Sequence, residues 1–227
     1  MISEGDIEKA VKIDMESFTE VETAYPPLGR YRKKVIDQFK KHYKAINDLV
    51  INLHDGRLYF HNLVINGAIS RSLNFYRGAI WGLGTRNSHV FYDSLRGQCE
   101  TLGLIHYCVL NPAYIEAAAI GAKKHKTTSL KIVNILTMID KLDKKYKGIR
   151  KDYDELCELV HPNPASLYAN IKPEKEQENG TLEVSFGSRS PRFTDEVAKE
   201  YLTFLIVWTD WIFKELFELA GLLREVR

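Results

Sequence analysis

Arg96, Glu100 and His161 have side chains that can take part in acid–base chemistry. Arg96 and Glu100 are four residues apart in an otherwise apolar segment, so a helix places them on one face. Inside an apolar helix, an arginine and a glutamate must neutralise each other. Two interpretations follow: an internal ion pair that fixes helix register, which the pattern favours, or part of a catalytic site.

His161 begins the run His161-Pro162-Asn163-Pro164, which follows a helical segment over 153–160. The dipole at a helix C-terminus favours the charged imidazole, and the prolines make the chain exit rigid. Such a histidine can act as a general base, a proton donor or an RNA contact. It can equally cap the helix by bonding its last carbonyl groups. Asn163 is a candidate binding residue beside it.

Aromatic and acidic neighbours extend this candidate site. Asp93 lies one turn before Arg96, and the remaining candidate binding residues are Tyr92, Tyr107 and Tyr153. A small-ligand pocket lined by these three tyrosines and Trp81 is a third interpretation. His54 and His61 do not match a structural zinc site, because Gly56 interrupts a helix between them. We therefore predict no metal site and no cofactor.

Helical periodicity predicts the elements that would position these residues. We expect one all-α domain over 1–227, built as a bundle of six to eight helices. Residues 1–27 form an N-terminal extension that ends at Pro26-Pro27. Alternating residues over 166–187 predict one small β-hairpin inserted before the long C-terminal helix. The helices are expected over 30–50, 58–83, 88–110, 114–121, 129–146, 153–160 and 194–223.

Composition indicates a globular protein, with 44% hydrophobic and 27% charged residues and a net charge of +2. The three cysteines, Cys99, Cys108 and Cys157, form no CxxC motif and are expected to be free thiols in a reducing compartment. The N-terminus is charged from its third residue, which does not fit a signal peptide. The most apolar run, 201–213, is shorter than the roughly 20 residues of a membrane span. We expect a cytoplasmic protein with no membrane partner.

Two sequence features suggest macromolecular partners. The segment 123–151 contains ten lysines and arginines against two aspartates, a charge that can attract an RNA backbone or simply form a solvated helix face. Aromatic residues, among them Trp208 and Trp211, occupy more than one side of the last helix. That helix is therefore either central in the bundle or in contact with a second subunit, and we expect a homodimer.

The order of motifs resembles a known group of proteins. An apolar helix carries Arg96-x3-Glu100, a second ends in Tyr-x-x-Leu-x-x-x-x-His-Pro-Asn from Tyr153 to Asn163, and a long helix closes the chain. This arrangement, over roughly 60–220, is similar to uncharacterised bacterial all-α proteins related to the HEPN-like group, found among toxins and phage-defence proteins. The resemblance implies a helical bundle, frequent dimers and, in active members, metal-independent RNA cleavage.

The catalytic pattern of that group differs from this sequence. RNA cleavage in its active members uses an arginine and a histidine separated by four to six residues. The arginine nearest upstream of His161 is Arg150, three residues separate Arg57 from His61, and two separate Arg86 from His89. We therefore expect a HEPN-like protein that acts by protein interaction or dimerisation, in stress or phage defence. The alternative is an RNA-cleaving enzyme in which Arg96, Glu100 and His161 share a polar pocket.

Overall fold

The computed structural model describes residues 3–24, 26–51, 60–120, 133–161, 171–176, 182–186 and 194–225. The predicted all-α class is confirmed for this part of the chain, which contains eight α-helices. They are α1 (Glu4–Ala24), α2 (Arg32–Ile46), α3 (Phe60–Gly84), α4 (Ser88–Leu110), α5 (Tyr114–Ile120), α6 (Ile135–Lys145), α7 (Ile149–Val160) and α8 (Asp195–Glu225). A 3₁₀-helix (Pro26–Tyr31) precedes α2, and a π-helix (Asn47–Ile51) follows it.

Two short strands, β1 (Ile171–Glu176) and β2 (Leu182–Phe186), pair antiparallel between α7 and α8. Ile171 lies opposite Phe186, and the register shifts between Pro173 and Lys175. Proline has no N–H to donate to a partner strand, which accounts for an irregularity at this point. The rest of the predicted hairpin, 166–170, 177–181 and 187, lies outside the described residues.

Helix α4 is the centre of the bundle. Fifteen of its 23 residues are buried, because α3, α6, α7 and α8 all pack against it. Gly97 permits the close approach of α3, since a Cβ at this position would overlap the Phe75 ring. The buried polar side chains of α4, such as Gln98 and His106, face neighbouring helices rather than bulk water, and each needs a partner there.

Helix α1, which falls in the segment predicted as an N-terminal extension, packs against α2 and α3. Val11, Phe18 and Val21 are buried against the other helices. Asp14 accepts bonds from Arg77 on α3, with Nε 2.7 Å from Oδ1, and from the Tyr43 hydroxyl on α2 at 2.7 Å. The other face of α1 is acidic, so the composition of the segment as a whole does not indicate its apolar face.

The cysteines and the helix lengths bear on the expected location. Cys99, Cys108 and Cys157 are free, and the first two are buried. Burial raises the pKa of the Cys108 thiol to about 12, which keeps it protonated at neutral pH.

Within the described ranges, none of the helices combines the length and apolar character needed to cross a membrane.

His42 is a fully buried histidine on α2. Its Nδ1 lies 2.7 Å from the Gln38 carbonyl oxygen, and its Nε2 lies 3.0 Å from the Ser72 hydroxyl on α3. A carbonyl oxygen can only accept, so Nδ1 carries the proton and Nε2 accepts from Ser72. Burial lowers the pKa of His42 to about 4, and the charges of Arg77 and Lys41 act in the same direction. The ring is therefore neutral at pH 7.

The unfolding free energy is expected to decrease as the pH falls from about 6.5 to about 4. The unfolded chain binds the His42 proton near 6.5 and the folded chain only near 4, so protonation favours unfolding within this window. The full loss is about 3 kcal/mol, at 1.36 kcal/mol per unit of pKa difference. Urea unfolding at a series of pH values measures it.

The control for this titration is His42→Gln, whose side chain is neutral throughout. Its stability should change much less between pH 6.5 and 4 than that of the wild type. Equal pH slopes in the two proteins would show that His42 does not cause the acid sensitivity.

Candidate functional site

Glu100 is the centre of a polar cluster in which α3, α4 and α7 meet. Its Oε2 accepts a bond from Nη2 of Arg71 at 3.0 Å, and its Oε1 accepts one from the Tyr153 hydroxyl at 3.2 Å. Arg96, one turn earlier on α4, has its Nε 3.6 Å from Glu100 Oε1 and its Nη2 3.1 Å from Asp93 Oδ1. We call Arg71, Asp93, Arg96, Glu100 and Tyr153 the Glu100 cluster.

Arg71 is the member of the cluster that the sequence did not indicate. Its guanidinium lies over the Phe75 ring, 4.9 Å from the ring centre. Its Nε also donates to the Thr101 hydroxyl at 3.1 Å. Phe75 in turn packs where Gly97 leaves room on α4. The absence of a Cβ at Gly97 therefore places Arg71 beside Glu100, 29 residues away in the chain.

Tyr153 reaches the cluster from α7, which begins earlier than predicted, at Ile149 instead of Tyr153. Gly148 has φ 96°, a conformation that glycine adopts readily. Oδ1 of Asp143 accepts the N–H groups of Gly148 at 2.9 Å and Arg150 at 3.2 Å, which satisfies the start of the helix. Burial, together with bonding to Cys157 and the charge of Glu100, raises the pKa of Tyr153. The phenol stays protonated and acts as a donor.

His161 is the C-cap residue of α7, with an exposed side chain. Its backbone N–H donates to the Cys157 carbonyl oxygen at 2.9 Å. It lies eight residues after Tyr153, which corresponds to about 12 Å along a helix axis. The Glu100 cluster thus brings together Arg96, Glu100, Asp93 and Tyr153, whereas His161 lies at the far end of α7.

The remaining predicted binding residues occupy separate places. The Tyr92 ring packs edge-on against Tyr201 of α8, with ring centres 5.2 Å apart. The Tyr107 ring packs edge-on against Tyr114 of α5 at 4.9 Å. Trp81 is exposed on α3. Asn163 lies outside the described residues. The three tyrosines and Trp81 thus lie in four separate places and do not line one pocket.

A second polar cluster surrounds Glu215, whose side chain is 0% exposed on α8. Nδ1 of His106 on α4 lies 3.0 Å from Glu215 Oε2, while Lys145 Nζ and the Tyr146 hydroxyl each lie 2.8 Å from Oε1. Burial alone raises the pKa of this carboxyl, but the three bonds outweigh burial and lower it to about 2. Glu215 is therefore ionised at neutral pH and holds α4, α6 and α8 together.

The basic segment 123–151 is described from residue 133 onward. Two of its cations there are engaged by acidic side chains. Lys145 contacts Glu215 and Glu218, and Arg150 contacts Asp140 and Asp154. These pairs reduce the positive charge that this part of the segment presents to a polyanion.

The described residues contain no group of three or more histidine, cysteine, aspartate or glutamate side chains placed to hold a metal ion. His54 lies outside these residues. No protein-family model matches the chain, and no match was found among curated proteins or solved structures.

The Glu100→Gln variant is expected to lower the unfolding free energy by about 1–2 kcal/mol, because Arg71 and Tyr153 lose a charged acceptor and Arg96 loses a nearby opposite charge. Urea unfolding at pH 7 measures the change. The matched control is Asp154→Asn, which removes one acid of an exposed pair with Arg150 within α7 and should cause no measurable loss. Equal stabilities of Glu100→Gln and wild type would contradict a structural role for the cluster.

Proposed function

We propose that this chain is a HEPN-like helical protein without ribonuclease activity that acts by pairing with a second copy of itself through the outer face of α3. The observation that carries this proposal is the exposure of two large apolar side chains on that face. Leu63 is 47% exposed and Trp81 is 52% exposed. Tryptophan is among the residues that contribute most to binding when a partner covers it.

The outer face of α3 has the spacing of a helix–helix seam. Its residues alternate at intervals of four and three, the pattern of helices that pack side by side, and all are exposed or half-exposed. They are Leu63, Gly67, Ser70, Asn74, Arg77 and Trp81. No atom lies within 4 Å of the place where a Gly67 Cβ would be, so a partner helix can approach the backbone closely there.

This face is complementary to itself when two copies of α3 lie antiparallel. A two-fold axis that crosses the outer face at the level of residue 72 sets Leu63 opposite Trp81 of the second copy at both ends of the contact, and Gly67 opposite Arg77. The small polar residues Ser70 and Asn74 face each other near the axis. Such an isologous contact covers both exposed apolar side chains at once. The resemblance to a group that frequently dimerises agrees with this arrangement.

The Glu100 cluster supports the non-catalytic part of the proposal. A general acid or base must be free to exchange its proton with a substrate. Glu100 instead receives two hydrogen bonds and lies beside two arginines, in contacts that join three helices. Arg96 is engaged by two carboxylates on its own helix.

Trp81→Gln is expected to convert a dimer into a monomer, with at least a tenfold weaker association, because the contact loses its largest apolar side chain at both ends. Sedimentation velocity over a range of concentrations measures this. The control is Ile13→Gln on α1, a 66% exposed side chain outside the α3 face, which should leave association unchanged. Monomeric wild type at high micromolar concentration would contradict the proposal.

Cysteine cross-linking tests the antiparallel geometry. Leu63→Cys combined with Trp81→Cys should give a disulfide-linked dimer on mild oxidation, because the two positions face each other. Each single variant should not, since equivalent positions lie about 27 Å apart across the axis. Cross-linking of the single variants instead would indicate a different contact.

Incubation with a mixed RNA pool in the presence of EDTA tests the alternative, RNA-cleaving function. We expect intact RNA with both wild type and His161→Ala. Cleavage by wild type but not by His161→Ala would overturn the non-catalytic proposal and assign a role to His161. Such cleavage would not bear on the dimer contact, which sedimentation velocity tests separately.

A further inference from the structure

A layer of polar side chains lies inside the bundle where α2, α3, α4 and α8 meet. Its members are all buried, with at most 2% of each residue exposed: Gln38, His42, Ser72, Tyr76, Gln98 and Thr209. We call these six residues the polar layer. Buried polar groups are disfavoured unless each has a hydrogen-bond partner, so each polar atom in this layer needs one.

The amide nitrogens of both glutamines are satisfied. Gln98 Nε2 donates to the Ser72 carbonyl oxygen at 2.9 Å and lies 3.4 Å from the Thr209 hydroxyl. Gln38 Nε2 donates to Asp210 Oδ1 at 2.8 Å. Both acceptors are oxygens that cannot donate. Rotating either amide by 180° would bring two oxygens together, so the orientation of both amides is fixed.

Three atoms of the polar layer have no hydrogen-bond partner within the described part of the chain. They are Oε1 of Gln38, Oε1 of Gln98 and the hydroxyl of Tyr76. Gln98 and Gln38 bond to the neighbouring positions 209 and 210 of α8, and Tyr76 lies one turn beyond Ser72 on α3. The three atoms therefore belong to the same region of the interior.

We propose that the polar layer is a binding site for internal water, which donates to Gln38 Oε1 and Gln98 Oε1 and bonds the Tyr76 hydroxyl. The occupant must be small, because Gln38, Tyr76 and Gln98 are each at most 2% exposed, and it must donate, because two of the three atoms only accept. Water donates two hydrogen bonds and accepts two, and buried water in proteins typically makes about three. A neutral occupant also fits beside the neutral His42 ring.

A route for exchange with solvent lies beside this layer. A cleft of about 450 Å³ separates α2 from α8 at the surface, with Lys41, Asp210 and Phe213 in its lining. Asp210 is the residue that holds the Gln38 amide, and Lys41 Nζ bonds the same Asp210 oxygen. Motion of the Lys41 and Asp210 side chains would admit water to the layer without unfolding of the bundle.

Magnetic relaxation dispersion of ¹⁷O water, which detects long-lived internal water, tests this proposal on wild type and Tyr76→Phe. The variant keeps the ring contacts of Tyr76 with Phe39 and His42, so its fold is expected to persist. We expect wild type to hold more long-lived water than the variant. Identical dispersion in the two proteins would overturn the proposal.

Thermal unfolding of the same pair gives an independent result. If water bonds the Tyr76 hydroxyl, its removal loses a hydrogen bond, and the Tm of Tyr76→Phe falls by about 2–4 °C. If the hydroxyl is dry and unpaired, its removal relieves a buried polar group, and the Tm rises. Tyr146→Phe is the reference for a lost bond, because the Tyr146 hydroxyl donates to Glu215 at 2.8 Å. A rise in the Tm of Tyr76→Phe would contradict internal hydration.

Discussion

The enclosure of α4 by α3, α6, α7 and α8, which buries fifteen of its 23 residues, is the constraint on which the other helix contacts depend. This helix carries Arg96, Gln98, Glu100, Thr101 and His106 in addition to its apolar residues. A polar group enclosed without a partner destabilises the fold by roughly 1–3 kcal/mol, and a lone charge by more. Each neighbouring helix therefore contributes a matching group. Arg71 on α3 and Tyr153 on α7 bond Glu100, and Glu215 on α8 bonds His106.

These polar contacts determine how the helices can pack. Apolar side chains tolerate small sliding motions of one helix along another, because dispersion contacts have little directionality. A buried carboxylate bonded from two or three helices does not, since a shift of about 1 Å breaks a bond that cannot be replaced by water. Glu215, whose side chain is fully buried, fixes α6 and α8 against α4 in this way, and the partly exposed Glu100 links α3 and α7 to the same helix through its bonds with Arg71 and Tyr153. Together they specify one arrangement of the bundle.

The sequence predicts the parts of this structure that depend on neighbouring residues. The bounds of α4 at 88 and 110 and the ion pair of Arg96 with Glu100 follow from helical periodicity. The start of α7 was missed because Asp143 caps it from outside the helix. Partners that are distant in the chain leave no local signal: Arg71 is 29 residues from Glu100, and His106 is 109 residues from Glu215. Sequence patterns therefore indicate pairs within one helix, such as Arg96 and Glu100, but not the partners that other helices contribute.

The polar interior and the surface also differ in the functions that their side chains can perform. A side chain that holds three helices together cannot also change protonation or move with a substrate without loosening the fold, so the Glu100 and Glu215 clusters are poor candidates for chemistry. On the outer face of α3, Arg77 is tied to Asp14 and Tyr43, whereas Leu63 and Trp81 are exposed. Trp81 and Leu63 contribute little to the core because about half of each side chain faces solvent. A partner that covers an exposed tryptophan or leucine gains binding energy from its apolar surface. This difference between the two regions is the reason for proposing a partner contact on the surface of α3 instead of chemistry within the polar interior.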